Sequence, residues 1–458
     1  MVTLTFDAIV IGTSHTGPSL AARLASEGKQ VAIIDTPLPE GTRASDNAAA
    51  TKALVAIART AHQARCADNC DIDINSDSKV DMQQVQARVK EVSAAATKSS
   101  DERLHNLDGV TVIRRHARFE ANDTIRCGEQ LVQAEQICIN VGGRPVVPTT
   151  FADIGAMTSI DMPELTQLPE HLIVVGGSCS GIEFAQIFRR LGSNVTIIER
   201  EARILSQQDK SLSQSVHELL AAEGIRIMTG AECLSGERSG DQVAIQLASK
   251  DHPKYIKGSH LLLAFGRQPN TADLGLQNTD MAVNKHGFIR VDDSLQTTAE
   301  GVWAVGECSG SGSSPNTFRD HHALESSPLL ADSDSNQSYL HLSYDILIDP
   351  PLGRVGMNQQ AARDSGRNIL IGHQPIENIN CAAGRGENHG FIEVLVDTDS
   401  EEIRGATVHG IAGIEAAHSL LDMMHAGTSY RVFAKHASLH PTISERLPKI
   451  LQSLQPLV

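Results

Sequence analysis

No run of about 18 consecutive apolar residues occurs in the chain, so no segment has the length and hydrophobicity to cross a bilayer as a helix. Positive charge is also scarce. Lys and Arg number 39 against 55 Asp and Glu, a formal net charge of −16. Nucleic-acid binding depends on neutralising phosphates with Lys and Arg, and no basic run offsets the balance locally, so no nucleic-acid partner is expected. No low-complexity tract dominates. The chain passes from Met1–Phe6 into the strand-like Ala8-Ile9-Val10-Ile11 without the charged segment and cleavage site of a leader. The expectation is a cytoplasmic protein without a membrane partner. The eight cysteines (66, 70, 127, 138, 179, 233, 308 and 381) are scattered, which suits free thiols better than a disulfide scaffold. Apolar residues make up 41% of the 458, ample for the cores of about three domains.

Self-similarity organises the chain. "AIVIGTSHTGPSLAARLASEGKQVAIID" (8–35) aligns without gaps on "LIVVGGSCSGIEFAQIFRRLGSNVTIIE" (172–199), at a constant offset of 164. Each copy predicts a buried strand, a Gly-containing turn, a helix ending at Gly28 or Gly192, and a second strand closing on Asp35 or Glu199. This is a βαβ unit twice over. A dinucleotide fingerprint requires Gly-x-Gly-x-x-Gly between strand and helix, with an acid about 20 residues on. The first glycine makes the turn and the third lets helix and strand pack closely. The helix N-terminus faces the pyrophosphate, and the acid accepts from the adenosine ribose. The outer glycines are present as Gly12 and Gly17, and as Gly176 and Gly181. The middle position is Ser14 in one copy and Ser178 in the other, which adds a Cβ and a hydroxyl where the backbone comes nearest the phosphates. Two nucleotide sites are expected.

Three further stretches complete the pattern: "NVGGRPVVP" (140–148), "LLLAFGRQPNT" (261–271) and "GVWAVGECSG" (301–310). With "DPPLGRVG" (349–356) and "LHPTISE" (439–445), they make the chain resemble the pyridine nucleotide-disulfide oxidoreductases over nearly its whole length. The pattern is close to that of the mercuric reductase and dihydrolipoamide dehydrogenase branch. The resemblance implies an α/β protein with two Rossmann-like domains of glutathione reductase type and a C-terminal α/β dimerisation domain. It places an FAD domain at 1–147 and 271–337, an NAD(P) domain at 148–270 and the dimerisation domain at 338–458, in a homodimer. FAD would lie on the first repeat, with Gly12, Ser14, Gly17, Asp35, Thr42, Lys52, Gly143 and Glu307 around it. Glu307 stands where the family has an Asp touching the ribityl chain. The nicotinamide nucleotide would lie on Gly176, Ser178, Gly181 and Glu199. Glu199 favours NADH over NADPH, because a carboxylate repels a 2′-phosphate, although Arg200 and Arg203 follow closely.

The two redox cysteines of the family correspond to Arg43 and Ala48. Neither can form the thiolate that disulfide exchange requires. Lys52 matches the lysine beside the flavin, and Glu183 its acidic partner. Cys179 occupies a position where relatives often place an aromatic lid. It stands either as a thiol activated by a helix N-terminus or, as the weightier reading, as a small residue lining a turn. Cys66 and Cys70 share a helical face, but lie too far along the helix to replace the lost pair. No metal site is expected there, nor at His321, His322 and His436. His440 and Glu445 match the family's proton-handling couple, which arrives from the partner subunit. The functional expectation is an FAD-dependent NADH oxidoreductase that serves a small-molecule, non-disulfide acceptor such as a quinone, dye, metal ion or dioxygen. The rival is a dimeric nucleotide-binding or scaffold protein without turnover. A third reading moves thiol chemistry to Cys179 or to a partner's cysteine.

Overall fold

The apolar run Ala8–Ile11 is buried at all four residues, as is Val31–Ile34. A strand with both faces buried belongs in the middle of a parallel sheet covered on both sides. In the computed structural model these two strands are central. The structure describes residues 2–14, 16–35, 44–67, 79–292, 294–310, 343–378, 387–435 and 438–457. Thr42, Arg43, Cys70, His321, His322, Cys381 and His436 lie outside them.

The chain folds into two units. The first comprises Met1–Ala53, Gln84–Val146 and Gly266–Ser338. Its parallel sheet runs, in spatial order, Val302–Ala304, Gln136–Ile139, Ala8–Ile11, Val31–Ile34 and Val110–Ile113. Helix α1 (Thr16–Ser26) buries Leu20, Ala21 and Leu24. Gly28 follows it with φ +85°, where glycine avoids the left-handed penalty. Two long helices come next along the chain, α2 (Ala44–Arg65) and α3 (Met82–His105). Ile9, Ile11, Ile34, Phe119, Ile137 and Ala304 share one core.

The second unit comprises Leu54–Gln83, Val147–Phe265 and Tyr339–Val458. It repeats the motif with the strand His171–Val175, helix α4 (Cys179–Leu191) and the strand Asn194–Ile198. Its parallel sheet is ordered Arg226–Met228, Asn194–Ile198, His171–Val175, His260–Leu263. The strand after the first helix pairs on one side of His171–Val175, and the last strand pairs on the other. The order therefore reverses between His171–Val175 and His260–Leu263, and ligands of open α/β sheets bind beyond the strand ends at such a switch point. Helix α5 (Lys210–Ala222) follows the second strand. The C-terminal part is a six-stranded antiparallel sheet with Leu352–Gly356, Ile403–His409, Phe391–Asp397 and Ile369–Pro375 at its centre. Among the described residues, no helix is long and apolar enough to cross a membrane.

Candidate functional site: two dinucleotide turns

The first turn is built around glycine. Gly12 has φ +112°, and a Cβ there would lie 2.1 Å from the carbonyl oxygen of Asn140. A Cβ on Gly17 would lie 2.1 Å from the Gly12 carbonyl. Backbone cannot yield that distance, so both glycines are steric requirements of the turn. The second turn repeats the constraint: Gly176 has φ +111°, a Cβ on it would lie 2.3 Å from the Ala264 carbonyl, and one on Gly181 2.1 Å from Gly176. In both copies the third glycine packs a helix directly on the turn.

The middle serines are spent within the fold. Ser14 Oγ donates to Asn140 Oδ1 at 2.5 Å, and the same oxygen accepts the Gly17 N–H at 3.2 Å. The Asn140 amide donates to the Val305 carbonyl at 3.4 Å, joining the turn to two strand ends. Ser178 works differently. It caps α4 by accepting the Gly181 N–H at 3.3 Å and donates to the Ala264 carbonyl at 3.1 Å. Serine at this position thus replaces a backbone approach with a hydrogen-bonded brace.

The acids lie where the fingerprint requires them. Asp35, buried at the end of its strand, accepts from Thr13 Oγ1 at 2.7 Å and has Arg114 Nε at 3.8 Å. Glu199 accepts the N–H of Gly177 at 2.7 Å and that of Glu201 at 2.8 Å. Of the two arginines that follow, Arg203 donates to the Ser206 and Gln208 carbonyls at 2.8 and 2.9 Å, so its cation is directed back to the chain. Arg200 is exposed beside Glu201. A glycine turn, a helix N-terminus and an acid at the end of the next strand are the donor set of a dinucleotide site, and both copies meet it.

Glu307 sits in the first unit with a partner of its own. Its Oε1 lies 2.7 Å from Arg267 Nε as an ion pair, and Arg267 Nη2 donates to the Gly143 carbonyl at 2.5 Å. A Cβ on Gly143 would lie 2.8 Å from the Gln268 carbonyl and 3.1 Å from Glu307 Oε2. Glycine is therefore what lets the strand Gly143–Pro145, its neighbour Arg267–Pro269 and this carboxylate converge. Lys52 is exposed on α2, one turn after the exposed Ala48. Lys52 belongs to the first unit and Glu183 to the second.

In the second unit, Glu183 accepts the Leu347 N–H at 2.7 Å. Burial raises its pKa to about 7, with the Asp345 carboxylate adding to the rise against that hydrogen bond. Cys179 is the first residue of α4. A helix N-terminus favours a thiolate, but burial pushes the thiol up to about 12, with Glu183 in support. The thiol therefore stays protonated near neutral pH. His440 Nδ1 and Glu445 Oε2 are 2.7 Å apart, with the imidazole 71% exposed and the carboxylate 14%. The carboxylate engages Nδ1, and Nε2 lies outside that contact. Cys66 stands past the end of α2 with its sulfur 3.7 Å from His62 Nε2. Among the described residues no group of three or more His, Cys, Asp or Glu is placed to hold a metal.

Sequence reasoning missed Asn140, Thr13, Arg114 and Arg267. Asn140 and Arg267 both lie inside motif stretches, but their partners are remote in sequence.

Comparison with known proteins accords with this geometry. The pyridine nucleotide-disulphide oxidoreductase model matches residues 6–326, and the family's dimerisation-domain model matches residues 344–450. The chain is 29% identical over 454 residues to the probable pyridine nucleotide-disulfide oxidoreductase RclA of Escherichia coli, covering 96% of this chain and 98% of that protein. It is 27% identical over 458 residues to the dihydrolipoyl dehydrogenase of Thermus scotoductus, covering 98% and 97%. Among solved structures, the HOCl-induced flavoprotein disulfide reductase RclA from Escherichia coli superposes with a TM-score of 0.82 at 27% identity, covering 97% of this chain and 99% of that one. A second structure of that protein, described as its Cu(II) complex, gives a TM-score of 0.80 at 26% identity, covering 98% and 99%. The chain therefore belongs to the pyridine nucleotide-disulphide oxidoreductase family, whose members depend on FAD and NAD(P)H, and it carries that family's dimerisation domain.

Proposed function

We propose that the chain is an FAD-dependent NADH oxidoreductase that passes electrons to a small non-disulfide acceptor. The observation that carries this is the pair of glycine turns with their strand-end acids, taken with the resemblance that sets Arg43 and Ala48 at the positions of the redox cysteines. Bound FAD supplies a two-electron relay between the nicotinamide and the acceptor. Gly12, Gly17, Asn140 and Asp35 would hold its ADP half. Gly176, Gly181, Ser178 and Glu199 would hold the pyridine nucleotide. Lys52 contributes positive charge beside the flavin, which favours the reduced, anionic ring. His440, oriented by Glu445, delivers protons to the reduced acceptor from the partner subunit of a homodimer. A quinone, a dye, dioxygen or a metal ion fits such an outlet, and the Cu(II) complex of the RclA relative makes cupric ion one acceptor to include in a screen.

The test is an anaerobic NADH titration of the purified protein, followed by readmission of air and by each acceptor in turn. Loss of the flavin's visible band at stoichiometric NADH, with return on adding an acceptor, is expected. A colourless protein, or a flavin that neither NADH nor NADPH reduces, would hand the case to a scaffold role without turnover.

Nucleotide preference follows from Glu199. Its carboxylate is fixed by two backbone N–H groups, and Arg203 is turned to the Ser206 and Gln208 carbonyls, so little offsets repulsion of a 2′-phosphate. NADH is expected to surpass NADPH by about 10- to 100-fold in kcat/KM, equivalent to about 1.4–2.8 kcal/mol. Glu199→Gln should narrow that ratio chiefly through the KM for NADPH. An unchanged ratio would remove Glu199 from the recognition.

The Arg267–Glu307 pair makes a separate prediction. Arg267→Met leaves a half-buried carboxylate without its counter-charge and is expected to cost about 1–3 kcal/mol, with more FAD lost on gel filtration than from the wild type. Undiminished flavin content would show that the pair does not support the flavin.

A further inference from the structure

We propose that Phe265 is the aromatic contact for the nicotinamide half of the pyridine nucleotide, a role that rests on reading the second repeat as that nucleotide's site. The strand His260–Leu263 is apolar, and its residues Leu261, Leu262 and Leu263 are 0–2% exposed. Ala264 continues the pairing by donating its N–H to the Val175 carbonyl at 2.7 Å. The next residue breaks the pattern, because Phe265 is 41% exposed. A phenyl ring left in water forgoes much of the free energy that full burial returns. Its ring packs on the buried Phe151, with centroids 5.7 Å apart and planes inclined at 43°. That contact fixes one side of the ring and leaves the rest open.

The position of the ring is what assigns it. Phe265 follows the carboxyl end of the strand that forms one wall of the switch-point crevice, and the Gly176 turn forms the other. The two walls touch: a Cβ on Gly176 would lie 2.3 Å from the Ala264 carbonyl and 3.3 Å from the Phe265 nitrogen. Ser178 Oγ bonds that same Ala264 carbonyl. A dinucleotide lies across such a crevice, with its adenosine ribose at the acid that ends the second strand. Glu199 marks that adenosine side. Phe265 lies on the opposite side of His171–Val175, where the nicotinamide half must pass. Cys179, at the start of α4, is small and adds no aromatic surface of its own. A planar pyridine ring stacks on phenyl, and the oxidised ring, being a cation, gains a cation–π term as well.

The test uses oxidised, FAD-loaded protein, so that no turnover intervenes, and measures NAD+ and ADP-ribose binding by calorimetry. ADP-ribose shares everything but the nicotinamide ring. Phe265→Leu is expected to weaken NAD+ by about 3- to 10-fold, the range of a single aromatic stack, with ADP-ribose unchanged. Phe265→Tyr should restore NAD+ binding. Equal weakening of both ligands would make Phe265 a support of the fold, and no weakening of either would remove it from the site. Both outcomes overturn the proposal. Leucine keeps apolar volume against Phe151, and a thermal melt of each variant reports any loss of folding. Failure of the wild type to bind either ligand would instead strike the nucleotide reading of the second repeat, and that failure is visible before any variant is made.

Discussion

Replacing Arg190 with alanine is expected to remove about 3–5 kcal/mol of stability, the usual result of deleting one member of a buried ion network. Arg190 is 5% exposed, near the end of α4. Its Nε and Nη2 donate to the two oxygens of Glu223 at 2.9 and 2.7 Å, and Nη1 pairs with the Asp349 carboxylate. Gln186 closes the network: its amide donates to Glu223 and to the Asp349 carbonyl, both at 2.8 Å, and its oxygen accepts the Asp349 N–H. Burial alone would lower the pKa of the guanidinium, but the hydrogen bonds and charges of Glu223 and then Asp349 hold it above its ordinary value. Alanine would leave Glu223 without its cation and Asp349 with only the half-exposed Arg59. Arg59 also reaches Asp349, at 3.7 Å, but is 42% exposed, so Arg59→Ala should cost under about 1 kcal/mol. Denaturant unfolding of the two variants separates the cases, and a loss below 1 kcal/mol for Arg190→Ala would show that the network is not what stabilises this helix. Because Ser178 caps α4 and Cys179 and Glu183 lie in its first turns, a loosened α4 should also weaken nucleotide binding.

The architecture was legible because its signals are local and repeated. Gly12 and Gly17, then Gly176 and Gly181, recur at one offset, and the steric reason for each lies within the turn it forms. Buried parallel strands such as Ala8–Ile11 show as unbroken apolar runs. The site was legible only in part, because its remaining chemistry depends on partners that spacing does not reveal. Ser14 meets Asn140 across 126 residues, and Glu307 meets Arg267 across 40. Ser14 and Ser178 look alike in the two copies, yet one donates to an asparagine side chain while the other caps its own helix. Glu307 keeps the charge expected of an aspartate, and the structure spends that charge on Arg267.

Cys179 shows the same limit from another direction. Sequence position exposes the helix N-terminus, which acts to lower a thiol pKa. Burial and the neighbouring Glu183 act to raise it, and these depend on packing from Asp345 and Leu347, more than 160 residues away. The local effect lowers the pKa, but the larger, non-local effect has the opposite sign. Glu183 illustrates the point again. The resemblance implies a flavin-side acid at this position, and the structure shows its carboxylate holding the start of the C-terminal segment through Leu347.

Acid should destabilise the protein through His409, and over a window that Glu183 partly masks. His409 is fully buried on the strand Ile403–His409, with Nδ1 2.9 Å from Ser215 Oγ, while Nε2 meets no hydrogen-bond partner among the described residues. Burial, then the nearby His389, lowers its pKa from 6.5 to about 3. Between those values the unfolded chain binds a proton that the native state refuses. Stability from this group is therefore complete above about pH 6.5 and falls as pH drops toward 3, by at most about 5 kcal/mol. Glu183 acts in the opposite sense. Its folded pKa of about 7 lies above the ordinary 4.5, so the native state binds the extra proton as pH falls from 7 to 4.5, and stability rises. The two slopes oppose each other down to about pH 4.5, and His409 acts without that opposition below it. Denaturant unfolding across this range should show a nearly level stretch down to about pH 4.5, then a decline. His409→Gln, neutral throughout, should flatten the lower limb by up to one proton's worth of slope, about 1.4 kcal/mol per pH unit. Glu183→Gln should steepen the upper limb. Because the reading is a slope, it is separable from whatever stability each substitution costs outright, and an unaltered lower limb in His409→Gln would mean that the acid sensitivity arises elsewhere.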